Sequence, residues 1–380
     1  MKKYNVIIIG AGIAGSGLAY NLKNLSYDKN VLIIDKKNLE KNSDEYRITF
    51  KEIVNKYKLP YEKKYNSLKF HFSEDGVIDI NGNFFLLDYK RVCHSLIKNS
   101  SFEFRNEKAI DIKENTLITD KNSYAFDYLI DCSGSHFFFK KIKNKKLPIK
   151  YWIGYSKILK SDNSLSKNSF HYFFHEDGVF EDIYSMGDKI MYGYWKYVNK
   201  IDFNLINTEG KSLARKMIND KYILKQFTNI VPCSPAFPLK YKNIAFLGDS
   251  FGNSTPSGAE GIRPILNSSE LLSHSIKKHN LDLYEKEWKE KYLNSYIKFL
   301  AFRMIRYPSS NFFKEIKKRF LPNNSVVYNY LKKDPELLLK IIKNEDTFKS
   351  PQEFKKCFNK LNIILLALLY YGLKLKYAIN

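Results

Sequence analysis

The first 35 residues narrow the choice of fold more than any other stretch. Tyr4 to Ile9 is a continuous apolar, β-branched run, the kind buried on both faces of a parallel sheet. It leads directly into Gly10-Ala11-Gly12-Ile13-Ala14-Gly15, after which helical spacing runs from Ser16 to Leu25. A second apolar strand, Val31 to Ile34, ends on Asp35. Strand, glycine turn, helix, strand and acid in this order predict a dinucleotide site. Gly10 permits the tight turn, Gly12 lets backbone N–H groups approach a pyrophosphate, and Gly15 lets helix and strand pack closely. Asp35 falls where an acid takes the hydroxyls of an adenosine ribose.

Composition says what the rest of the chain can support. With 380 residues, 44% of them hydrophobic, there is material for two or three structural units with a real core. The formal charge is +23, yet only eight basic residues are Arg and 55 are Lys, spread along the chain among Asn, Ile and Tyr. A nucleic-acid surface concentrates its base and uses Arg for bidentate contacts, so this diffuse Lys reads as coding bias and argues against a nucleic-acid partner. Cys93, Cys132, Cys233 and Cys357 form no CxxC pair and have no His at zinc-ligand spacing. No metal site is expected, and the setting is reduced and cytoplasmic.

Residues 37–64 are polar, with a helical turn at Glu52 to Tyr57. Lys69 to Asn83 alternates apolar and polar residues around Asp75-Gly76 and Asn81-Gly82, which predicts two hairpin turns. A helix is expected from Tyr89 to Asn99, short strands from Phe102 to Asp120, and a buried strand from Tyr128 that runs into Asp131-Cys132-Ser133-Gly134. Four strand-like segments between 150 and 200 carry many aromatics. Tyr172, Phe174, Phe180, Tyr184, Tyr194 and Trp195 are candidates for the wall of a large apolar substrate pocket. His171 and His175 lie in the same segments, where a structural role competes with a substrate-facing one. Asn243 to Leu247 is another buried strand, ending in Gly248-Asp249 and followed by a Gly/Pro loop into a helix. There the acid can take a hydroxyl while the positive helix end faces an anion.

At these residues the sequence resembles the p-hydroxybenzoate-hydroxylase-like flavoproteins, and within them the geranylgeranyl reductase family. Gly248-Asp249, Pro256 and Glu260-Gly261-Ile262 match the spacing of that family's second FAD motif without gaps. The resemblance implies that Asp249 binds the ribityl or pyrophosphate part of FAD and that Gly261 and Ile262 give backbone contacts to the isoalloxazine. It maps Gly10, Gly12, Ile13, Ala14, Gly15 and Asp35 onto the amino-terminal FAD motif, the strand end at Gly134 onto the middle motif, and Ala109 beside the adenine. It makes Arg91 the candidate for an Arg near the third helix. Residues 37–60 contain neither Cys nor Gly, so the family's Cys-Gly element is missing. Its Tyr-x-Trp-x-Phe-Pro substrate motif aligns with Phe180, Asp182, Tyr184 and Ser185, which loses the Trp and the Pro.

The fold implied is α/β: a discontinuous Rossmann-type, glutathione-reductase-like FAD domain (1–64, 85–140, 236–281), an inserted antiparallel β-sheet substrate domain (65–84, 141–235), and a helical carboxy-terminal region (282–380). The activity implied is FAD-dependent reduction of isoprenoid double bonds in a prenyl or other large apolar substrate, with NAD(P)H or ferredoxin as electron donor. A flavin-dependent monooxygenase or halogenase-like enzyme, or a tRNA-modifying flavoprotein, is the alternative. No catalytic residue is assigned; Glu260 is a candidate proton relay that has an equal explanation as a helix-capping acid. The apolar tail Ile363 to Leu373 has eleven residues between lysines, short of the roughly 20 that span a bilayer. It is expected either to pack on the flavin domain or to lie peripherally at the inner face of a membrane.

Overall fold

The computed structural model describes residues 1–38, 45–72, 76–145, 147–148, 150–161, 165–175, 179–199, 201, 222–306, 324–343 and 360–378. Two sheets organise them. In the first, β1 (Lys2–Ile9), β2 (Val31–Asp35), β6 (Glu103–Asn106), β9 (Ser123–Asp131) and β16 (Ile244–Phe246) are parallel, in the order β16-β9-β1-β2-β6. Val6, Ile7, Ile8, Leu32, Ile33, Leu129 and Ile130 are shut off from solvent, as near-continuous apolar strands with both faces covered must be. The covering helices are α1 (Ile13–Asn24), α3 (Tyr89–Ser100) and α5 (Ile262–Lys277). α1 packs so close to α5 that a Cβ on Gly17 would lie 2.5 Å from Leu266, and Asn21 Nδ2 donates to Ser269 Oγ at 2.8 Å.

The second sheet has the order β14-β10-β13-β12-β11-β4-β5-β3. Its strands are β3 (Tyr46–Phe50), β4 (Lys63–Phe72), β5 (Gly76–Asp88), β10 (Tyr151–Lys160), β11 (Ser169–Phe174), β12 (Val179–Met186), β13 (Lys189–Val198) and β14 (Ile223–Pro232). It is curled: Arg47 on the edge strand β3 donates from Nη2 to Asn229 Oδ1 on the opposite edge strand β14, at 3.3 Å. One face packs on α8 (Asn324–Lys333) and α9 (Pro335–Ile342) through Tyr328, Leu331, Leu337 and Leu338. Asp334 caps α9 by accepting from Leu337 N at 3.2 Å, with Pro335 at the first position, where its missing N–H costs nothing.

Several expectations need correcting. Asn81-Gly82 is no turn, because β5 runs through it opposite β4 and the extra residues are absorbed as a register shift at Tyr65/Ser67. The ladder to β4, which continues before and after the dipeptide, outweighs the local turn signal. β3, inside the polar stretch after Asp35, was not foreseen and joins the second sheet, while β5 crosses residues 84 and 85 without a break. The helical carboxy-terminal region opens not as one continuous helix but as α6 (Leu281–Trp288), a wide turn at Lys289–Leu293, and α7 (Asn294–Arg306). The segment Phe312 to Phe320 lies outside the described residues. The tail forms α10 (Lys360–Ala378). Tyr370, Leu373 and Tyr377 pack on the core, whereas Leu368, Tyr371 and Leu375 are 63–65% exposed. Among the described residues no helix is long and apolar enough to cross a membrane.

Candidate functional site

Because five of the eight strands described in the first sheet run parallel, the loops after β1, β2 and β9 converge at one end, where ligands of such sheets sit. A cavity of about 690 Å³ lies there, and Gly10, Gly12, Ile13, Ala14, Asp35, Ala109, Gly134 and Asp249 all line it. Gly10 has φ +103°, and a Cβ there would lie 2.3 Å from the Cys132 carbonyl oxygen. Only glycine lets the ends of β1 and β9 meet so closely. Asp35 fixes the loop: Oδ2 accepts from Ala11 N at 2.7 Å and Oδ1 from Lys37 N at 2.8 Å. The acid thus holds the turn while keeping an edge toward the cavity.

The sequence reading missed Tyr89. Its hydroxyl accepts from Ile13 N at 3.0 Å, pinning the amino terminus of α1, which no cap side chain serves. Tyr89 and Lys90 line the cavity. Arg91 does not: its guanidinium pairs with Glu62 at 2.9 Å on the surface. Residues two apart on a helix point to different sides, so Tyr89 and Arg91 cannot both face the cleft. Lys36, Lys37, Lys108, Lys141 and His136 complete a basic rim suited to phosphate oxygens. Gly15 and Gly248 serve packing: a Cβ on the first would lie 1.9 Å from Gly10 O, and one on the second 2.8 Å from Ala14. Asp131, buried under the loop after β9, accepts from Ser133 N and Phe139 N at 2.9 Å each.

The second motif borders the far end. Asp249 Oδ1 accepts from Ser254 Oγ at 3.0 Å. Burial pushes its carboxyl up to about 6, against the opposing pull of Ser254 and Arg47. Gly261 and Ile262 open α5 beside Ser254 but stand outside the cavity lining. Glu260 accepts from Arg263 N at 3.1 Å and from Arg263 Nε at 3.2 Å, so its carboxylate works as a capping acid at the start of α5. Burial raises its pKa and Arg263 opposes this. Arg303 on α7 donates to Pro256 O at 3.2 Å and to Ser257 O, and its guanidinium lies 4.6 Å over the Trp152 ring. The motif loop is thereby clamped to the second sheet.

That sheet's face carries five of the six aromatic candidates. Register places Phe180 and Tyr184 of β12 and Trp195 of β13 on one face, with Tyr172 and Phe174 of β11 beside them; Phe180 and Trp195 stack at 5.9 Å. Tyr194 is the exception. As Trp195's neighbour in a strand it points to the opposite face, where it packs with Tyr192 and Ile183. His171 also belongs to that back side: it meets His71 at 3.0 Å, and burial holds both imidazoles down to about 4. Asp182, overlooked as a site residue, shares the aromatic face, and Oδ1 accepts from Trp195 Nε1 at 2.9 Å. Burial pushes it up to about 6 despite Trp195 and Arg47. Arg47, also missed, is therefore close to the acids of both regions. Among the described residues no His, Cys, Asp and Glu group could hold a metal.

No family model and no curated protein matches the chain. Solved structures do. A geranylgeranyl bacteriochlorophyll reductase-like protein from Thermoplasma acidophilum superposes with TM-score 0.71 at 14% identity, covering 97% of this chain and 100% of the other. The flavin-dependent brominase Bmp2 gives 0.70 at 13% identity over 100% of both chains. The p-nitrophenol 4-monooxygenase PnpA from Pseudomonas putida gives 0.66 at 12% identity over 94% and 99%. The chain has the Rossmann-type fold of these flavoprotein oxidoreductases.

Proposed function

We propose that the chain is an FAD-dependent oxidoreductase that reduces isoprenoid double bonds in a lipid or other large prenyl substrate. The observation that carries this reading is a glycine-lined cleft that Asp249 borders, beside a curled sheet with an aromatic face, the charge of Arg47 being felt both by Asp249 and by Asp182 on that face. The cleft fits FAD. Gly10 and Gly12 leave backbone exposed, α1 begins without a side-chain cap, and lysines surround the place for a pyrophosphate. Asp35 would hold the adenosine ribose, Ala109 would line the adenine, and Asp249 the ribityl chain. The α5 amino terminus would favour negative charge on the ring.

FAD, when bound, supplies the hydride or electron pair, itself received from a donor such as NAD(P)H or ferredoxin. The chain's own residues then orient an apolar chain on Phe174, Phe180 and Trp195 and keep water from it. The exposed Leu368, Tyr371 and Leu375 of α10, beside Lys374 and Lys376, support docking on an anionic membrane that holds such a lipid, at its inner face.

The test is to purify the protein, record its visible spectrum, reduce it without oxygen and add a geranylgeranyl lipid. Reoxidation with a saturated product is expected. A colourless protein that FAD cannot reconstitute refutes the cofactor. Reoxidation by oxygen alone, with a hydroxylated or halogenated product, moves the assignment to a monooxygenase or halogenase.

A further inference from the structure

Asp182 is out of place on an aromatic sheet face, because desolvating a carboxyl there is costly. The sheet makes room for it at two glycines. Gly193 is its register partner on β13, and a Cβ there would lie 1.9 Å from Asp182 Oδ1 and 2.6 Å from Trp195 Nε1. Gly154 on β10 stands opposite Trp195, and a Cβ there would lie 2.4 Å from the indole. The indole therefore lies flat across both glycines and aims its N–H at Asp182 Oδ1, 2.9 Å away. A carboxylate accepts about four hydrogen bonds, so this contact leaves capacity. Asp182, Tyr172, Asn229 and Arg47 all keep partial exposure within the curl of the sheet. Tyr172 feels the charges of both Asp182 and Glu260, and Arg47 reaches Asn229 on this same face.

We propose that Asp182 is the anchor for a hydroxyl or amine group of the substrate, whose apolar body lies on Phe174, Phe180 and Trp195. The proposal rests on the reading of this face as the substrate site. It narrows the substrate class from a prenyl hydrocarbon to an amphiphile with a hydrogen-bond donor at one end. Trp195 positions the acid, and Gly193 and Gly154 position Trp195. A hydrogen bond to a charged acceptor discriminates by about tenfold or more.

The experiment compares binding of geranylgeraniol and its methyl ether to the full-length, FAD-reconstituted protein at pH 8, followed by tryptophan fluorescence and calorimetry without turnover. The alcohol should bind about tenfold tighter than the ether, which cannot donate. Asp182→Asn, which keeps an acceptor for the Trp195 N–H, should bring the two within about threefold. Trp195→Phe, which keeps the acid but removes the N–H that positions it, should lower the preference without abolishing it. Equal affinities in the unmodified protein, or an undiminished preference in Asp182→Asn, overturn the anchor and leave the prenyl reading standing. If neither prenyl probe binds, the prenyl reading fails, and 4-octylphenol against 4-octylanisole decides the anchor alone. A phenol preference that Asp182→Asn abolishes supports it, and no preference overturns it.

Discussion

Two glycines in one loop separate folding from the cofactor binding proposed above. At Gly10 an alanine must adopt φ +103° and place its Cβ 2.3 Å from the Cys132 carbonyl oxygen. Neither neighbour can retreat: Gly10 N donates to Ile34 O at 2.7 Å, and Cys132 N donates to Ile9 O at 2.8 Å. Backbone strain of this kind costs about 1–3 kcal/mol, and overpacking costs a similar amount. A loss of roughly 3–5 kcal/mol is expected for Gly10→Ala, which at the unfolding entropy of a chain this long lowers Tm by about 4–6 °C. At Gly12 φ is −69°, and the nearest atom to an added Cβ is the Tyr89 hydroxyl at 3.0 Å. Gly12→Ala should therefore cost less than Gly10→Ala, lowering the Tm of the apoprotein by about 1–2 °C as the Tyr89 hydroxyl gives way, while weakening FAD by about tenfold or more, since under the proposed function the methyl stands where the pyrophosphate approaches. The assays are thermal unfolding of both apoproteins and fluorescence titration with FAD. A Gly10→Ala protein that melts with the wild type refutes the steric argument. A Gly12→Ala protein with unchanged FAD affinity refutes the placement of the pyrophosphate.

Other outcomes follow from single groups. Asp249 is pushed from 3.8 up to about 6 in the folded protein, so the folded state holds its proton more tightly. Its contribution to stability is present below pH 4 and is lost as pH rises through about 6. Relative to Asp249→Asn, the wild-type apoprotein should gain up to roughly 3 kcal/mol in urea unfolding between pH 7.5 and 4. His71 and His171 are held down to about 4, so they act oppositely: stability is lost as pH falls from 6.5 through about 4, and the double His→Asn variant should flatten that limb. Arg303→Met should lower stability by about 2–4 kcal/mol and speed FAD release, because it removes the clamp on Pro256 and Ser257; an unchanged release rate would show that the clamp does not serve the cofactor. Glutamate at Leu368, Tyr371 and Leu375 should abolish flotation with anionic vesicles at unchanged Tm, and retained flotation would refute the membrane role of α10.

Much of the cleft was legible because its residues fall in short motifs, each with a local reason. Glycine at 10, 12 and 15, the acid at 35 and the Gly248-Asp249 strand end are dictated by backbone geometry, which sequence spacing expresses directly. Arg91 was misread where the local pattern was ambiguous: either of two neighbouring basic side chains could serve, and the angle at which α3 docks turned Lys90 inward and Arg91 toward Glu62. The Asn81-Gly82 turn failed because the ladder to β4, continuing before and after it, overrode a dipeptide preference.

The sequence by itself determined the β1-α1-β2 unit with its glycine loop, the second glycine-acid strand end and the aromatic character of the other sheet, because these follow from periodicity and short-range sterics. Alternation along β13 already sets Tyr194 and Trp195 on opposite faces, but tertiary structure alone decided which of the two joins the other aromatics, since only register against β12 puts Trp195 opposite Phe180. It likewise decided the place of Asp182 over Gly193, and of Arg47 bridging edge strands 182 positions apart. Those contacts exist only once the sheet curls, and no local pattern in the chain encodes the closing of that curl.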